Sequence, residues 1–130
     1  IDQEKPFYCK TAFSQEPDNK RSSGKMLEAG EVGFSYVMRG SGRGLNNTVN
    51  SAIPIVLAAA SGNNDGKFDR NVYNKKAAVL NIDMSVNQLT LNDQGEILLK
   101  GGDKLMDTGS DSIWSDSAIT DPTVVDPAIR

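Results

Sequence analysis

Apolar residues in this chain come in short runs, often alternating with polar ones, and polar stretches rich in Gly, Asn and Asp separate them. The clearest case is "KKAAVLNIDMSVNQLTLNDQGEILLK", Lys75–Lys100. Ala78, Leu80 and Ile82 fall on one face of a predicted strand. Asp83, Met84 and Ser85 can turn the chain. Val86–Leu91 then returns, with Leu89 and Leu91 on one face and Gln88 and Thr90 on the other. "NDQG", Asn92–Gly95, is a favourable turn, with Asn or Asp at the first corner and Gly at the end. Glu96–Lys100 supplies a third strand. Strands joined this tightly make an antiparallel meander.

Other runs extend the pattern. Val32–Met38 is rich in β-branched and aromatic residues and predicts a strand. "AIPIVLAAA", Ala52–Ala60, has two readings. Pro54 suits the first turn of a short helix capped by Ser51 and ended by Gly62. It equally suits the opening of a buried strand, and the β-branched Ile53, Ile55 and Val56 favour that second reading. Near the start, Phe7, Cys9 and Thr11 alternate with Tyr8, Lys10 and Ala12, again a strand pattern. Ser14–Lys25, Arg39–Asn47 and Asn63–Asn74 read as loops or turns. Trp114 and Ile113 are expected to dock the C-terminal part onto the sheet. After Asp116 two Asp-Pro pairs predict an extended or disordered tail. The expected organisation is one domain over residues 1–115 and a tail over residues 116–130. Its class is α+β but predominantly β, an antiparallel meander with few short helices. The alternative is an all-β, immunoglobulin-like sandwich.

Composition narrows the chemistry. The 130 residues are 38% apolar and carry a formal net charge of −3. Duplex nucleic acid needs a concentrated basic face, which this balance does not supply. A single cysteine, Cys9, allows no internal disulfide and no thiolate zinc cluster. The chain has no histidine. It therefore lacks the commonest general base, the commonest metal ligand and the serine triad in its usual form. No run approaches the roughly 20 apolar residues of a membrane span. The first residue is Ile1, so a processed or truncated form is expected, with any anchor or signal peptide upstream.

Each chemical motif has a simpler explanation. Asn63, Asp65 and Asp69 surround Gly66 with oxygens, as a calcium loop would, but the EF-hand pattern and its distal Glu are missing. An Asx/Gly turn selects the same residues, and calcium is expected to be dispensable; no metal ligand is assigned. Gly40–Gly44 resembles a phosphate cradle without the Lys-Ser/Thr pair of a P-loop, which leaves a surface loop. Asn46–Thr48 matches a glycosylation acceptor, a pattern common by chance. Cys9 has no histidine partner, and free cysteines usually pack as small apolar groups. Lys75 and Lys76 are expected to be edge or solvent charges. No pair of carboxylates is set up for acid–base work. No catalytic residue and no cofactor are assigned.

"GEVGFSYVMRG", "AIPIVLAAA", "NKKAAVLNIDMSVNQLTLNDQGEILL" and "SIWSD" occur in this order, starting at Gly30 and reaching past Trp114 to Asp116. This order resembles the soluble head of bacterial type IV pilin-like proteins, including type II secretion pseudopilins. The resemblance spans about two thirds of the chain and rests on packing and turn motifs. It implies a non-enzymatic filament subunit of the bacterial cell envelope, at the periplasm or cell surface. An upstream apolar helix would anchor the precursor in the inner membrane and later pack in the filament. Implied partners are other pilin-like subunits and the inner-membrane assembly machinery. The isolated head is expected to be a monomer. Some pseudopilin heads bind calcium in a C-terminal loop, but Asn63–Asp69 does not align with it and no ligand carries over. The alternative function is a surface or periplasmic β-domain that binds a glycan or protein through loops such as Arg39–Asn47. The residues upstream of Ile1 would discriminate: a prepilin cleavage site and apolar helix for the first, an ordinary signal peptide for the second.

Overall fold

Polar turns at Asp83–Ser85 and Asn92–Gly95 fold the middle of the chain back on itself twice, and the rest of the sheet builds out from there. A computed structural model describes residues 32–39, 50–61, 67–115 and 122–126. Six strands run in chain order: β1 Ser35–Arg39, β2 Pro54–Ala58, β3 Lys76–Asn81, β4 Val86–Leu91, β5 Ile97–Leu98 and β6 Pro122–Val125. They form one sheet in the order β5-β4-β3-β2-β1-β6. Every neighbouring pair is antiparallel. The predominantly β, antiparallel expectation holds, and β3–β4–β5 is the expected meander. Among the described residues there is no helix. The described strands form a single sheet, without the second one that an immunoglobulin-like sandwich would need. No helix among them is long and apolar enough to cross a membrane.

The ambiguous Ala52–Ala60 run resolves as a strand. Pro54 pairs with Asn81 and Val56 with Leu80, so β2 places one extra residue against β3. Such a bulge bends the strand and reverses which side chains face inward beyond it. Pro122–Val125, in the part expected to be extended or disordered, is a strand that pairs with β1. Ser35 Oγ donates to Asp126 Oδ1 across that pairing at 2.6 Å.

One face of the sheet carries the core. Val37, Leu57, Ala77, Val79, Leu91 and Ile97 point to it from five strands. Ile53, Phe68, Leu105 and Trp114 close over them. Ile113 packs against this cluster, so the expected docking of Ile113 and Trp114 is found. Trp114 Nε1 donates to the Leu105 carbonyl at 2.9 Å, which satisfies a buried donor at the end of an otherwise apolar ring.

The register of β3 differs from the sequence expectation. Ala77, Val79 and Asn81 are buried, whereas Ala78, Leu80 and Ile82 are only partly so. The reason is pairing. Val79 lies opposite Leu57 on β2, and Ala77 lies opposite Leu89 on β4. Leu89 and Leu91 do share the inward face of β4, as expected. Successive side chains alternate between faces, so their β3 partners must be the odd-numbered residues.

Candidate interaction face

The displaced register leaves an apolar row on the face opposite the core. Residues opposite one another in a ladder share a face. Val125 pairs with Tyr36, Tyr36 with Val56, Val56 with Leu80, and Leu80 with Val86. The row Val125–Tyr36–Val56–Leu80–Val86 therefore crosses five strands without a polar interruption. At roughly 4.8 Å per strand spacing it is about 19 Å long. Its ends are open to solvent: Tyr36 and Val125 are each 43% exposed and Val86 is 68% exposed. Val56 and Leu80 between them are half-buried. A second row, Ala58–Ala78–Gln88, runs beside it. Phe34 and Val72 pack against Ala58 and Ala59 there.

The β3–β4 hairpin carries a further exposed apolar residue. Met84 sits at its tip, 72% exposed and at φ 67. That left-handed backbone is normally left to Gly, Asn or Asp. Asp83 holds the turn by accepting from Ser85 N at 2.9 Å and from Ser85 Oγ at 2.6 Å. The hydrogen bond from the Ser85 side chain, then that from its backbone, keeps the Asp83 carboxyl below the ordinary aspartate range.

The far end of the meander is held by a similar device. Asn92 Oδ1 accepts from Gln94 N and Glu96 N at 3.0 and 2.9 Å. Asn92 Nδ2 donates to Glu96 at 2.8 Å, and Lys104 Nζ bridges the same carboxylate at 3.1 Å. The Asn92 side-chain bond, followed by the Lys104 contact, holds the Glu96 carboxyl below the ordinary glutamate range. These are turn and strand-end supports, and none aims a polar group at a common point.

Of the motifs weighed from sequence, Cys9, Gly40–Gly44, Asn46–Thr48, Asn63, Asp65 and Gly66 lie outside the described residues. Asp69 is described. Its Oδ1 accepts from Asn71 N at 2.8 Å, which is the Asx-turn role. No group of three or more His, Cys, Asp and Glu among the described residues is placed to hold a metal ion. Lys75 and Lys76 are exposed, but β3 is an interior strand, so they are solvent charges rather than edge charges. The outer apolar row itself was not legible. Val86, Tyr36 and Val125 lie on three strands, and only the pairing register aligns them. No family model, curated protein or solved structure matches this chain.

Proposed function

We propose that this chain is the head of a non-enzymatic structural subunit of a type IV pilus-like or type II secretion pseudopilus-like filament. The observation that carries the reading is the uninterrupted row Val125–Tyr36–Val56–Leu80–Val86 on the face opposite the core. Isolated exposed apolar side chains are ordinary, but a contiguous line of them marks a contact surface. A row of about 19 Å matches some 13 residues of α-helix at 1.5 Å per residue. An upstream apolar helix laid on this face would complete an α+β head, as the resemblance to pilin-like proteins implies. The precursor would then be anchored in the inner membrane and the assembled subunit would sit in the cell envelope, in contact with like subunits and the assembly machinery.

The test uses the full-length protein in a bacterium that assembles it. Val86→Lys and Tyr36→Lys alter exposed positions of the row and leave the core untouched. Each should reduce incorporation into filaments about tenfold or more, the effect of losing a desolvated apolar contact worth some 1.4 kcal/mol, with thermal stability of the head little changed. Full incorporation by the double variant would overturn the reading, as would release of the native protein into the medium or periplasm as an unanchored monomer.

A further inference from the structure

The turn between β3 and β4 holds a residue that its backbone does not favour. Met84 lies at φ 67, a left-handed conformation that Gly, Asn and Asp adopt at least cost. Met84 N donates to the Asn81 carbonyl at 3.0 Å, and Asn81 N donates to the Ser85 carbonyl at 2.9 Å. Asn81 Nδ2 donates to Ser85 Oγ at 3.0 Å, and Ser85 Oγ donates in turn to Asp83 Oδ1. None of these bonds uses the methionine side chain. Strain kept at one position motivates a role for the side chain that occupies it.

That side chain is a thioether in open solvent. Of the chain's four methionines, Met38, Met84 and Met106 are among the described residues. Met84 is 72% exposed, whereas Met38 and Met106 are partly buried and Met106 packs against the core. Every residue from Asp83 to Gln88 is exposed, so the sulfur is open to a small oxidant and to an enzyme that must close around it. Oxidation of a packed methionine puts a polar group into apolar surroundings and disrupts them. At Met84 the added oxygen meets water, and the hydrogen bonds that hold the turn stay in place.

We propose that Met84 is a reversible oxidation site, which takes one oxygen from a hydroperoxide while the domain stays folded. A sulfur lone pair attacks the terminal oxygen of the hydroperoxide. The S–O bond forms as the O–O bond breaks. The proton on the transferred oxygen passes to the leaving oxygen, which departs as an alcohol, or as water from hydrogen peroxide. Sulfur gives up two electrons and the peroxide gains them. The product is a polar sulfoxide, which methionine sulfoxide reductases return to the thioether. Met84 is not a member of the outer apolar row, and the inference does not depend on the filament reading.

The experiment treats the full, folded chain with limiting hydrogen peroxide and follows each methionine by peptide mass mapping over time. Met84 should oxidise nearly as fast as a blocked free methionine, and Met38 and Met106 about tenfold or more slowly, since access sets the rate. Once Met84 alone is oxidised, the melting temperature should change by less than about 2 °C. Sulfoxide reductases should then restore the original mass without denaturant. Met84→Leu should remove this first oxidation step and no other. Met84→Asn, which suits the left-handed backbone, should raise the melting temperature by a few degrees. Four results would overturn the proposal: Met38 or Met106 oxidised as fast as Met84, unfolding on oxidation of Met84, a sulfoxide that the reductases reach only after denaturation, or a lower melting temperature for Met84→Asn. The first three are read on the unaltered chain and need no variant.

Discussion

Gly95 shows how much one residue fixes. Its φ is +80, and a Cβ there would lie 2.8 Å from the Phe68 carbonyl oxygen. Phe68 N in turn donates to the Gly95 carbonyl at 2.9 Å. A side chain would meet both an unfavourable backbone region and a backbone atom that cannot swing away. Gly95→Ala should therefore destabilise the domain by more than about 1 kcal/mol, read by urea denaturation. A change within experimental error would show that Phe68 and the turn are not coupled. The neighbouring Glu96 carries a pH dependence. Its folded-state pKa is lowered, first by the Asn92 side chain and then by Lys104. Its contribution is present above the ordinary glutamate pKa and is lost as pH falls through the lowered folded value. A carbon-detected NMR titration should place the Glu96 midpoint below that of an unstructured glutamate, and Glu96→Gln should flatten that part of the acid limb. The Asn92–Gly95 turn was readable from sequence because its chemistry is local. The closure of Gly95 on Phe68 was not, because the two residues are 27 positions apart.

At the scale of elements, register separates the legible from the illegible. β3 reads Lys-Ala-Ala-Val-Leu-Asn and offers apolar residues at both parities, so alternation within it cannot choose a face. Pairing with β2 and β4 chooses Ala77, Val79 and Asn81, leaving Leu80 half-exposed on the outer face. Leu57 is fully buried beside Val79. Leu57→Ala should cost about 2–5 kcal/mol, the range for emptying a packed site. Leu80→Ala should cost distinctly less, since part of its side chain already meets water. Chemical denaturation of the two variants decides the register. A greater loss for Leu80→Ala would restore the face expected from the sequence. The meander itself was legible because each of its two turns sits between runs of suitable length. β6 was expected only as part of an extended or disordered tail, since a strand's partner cannot be read from the strand alone.

For the whole molecule, one sheet serves two different surfaces. Its inner face is closed by Ile53, Phe68, Leu105 and Trp114, and its outer face keeps an apolar line from β6 to β4. The predominance of antiparallel sheet follows from the spacing of turns along the chain, and the sequence carried that much. The outer line depends on four separate pairings and a bulge in β2, none of which composition or periodicity encodes. That line is the basis for reading the chain as a component of an assembly. The most direct measurement places a photo-crosslinking residue at Val86, and separately at Tyr36, in the full-length protein within intact cells. The account predicts efficient crosslinks from both positions to an apolar helix, either the upstream helix of the same chain or that of a neighbouring subunit, and weak crosslinks from the exposed control Gln94. Crosslinks no stronger at Val86 and Tyr36 than at Gln94 would contradict it.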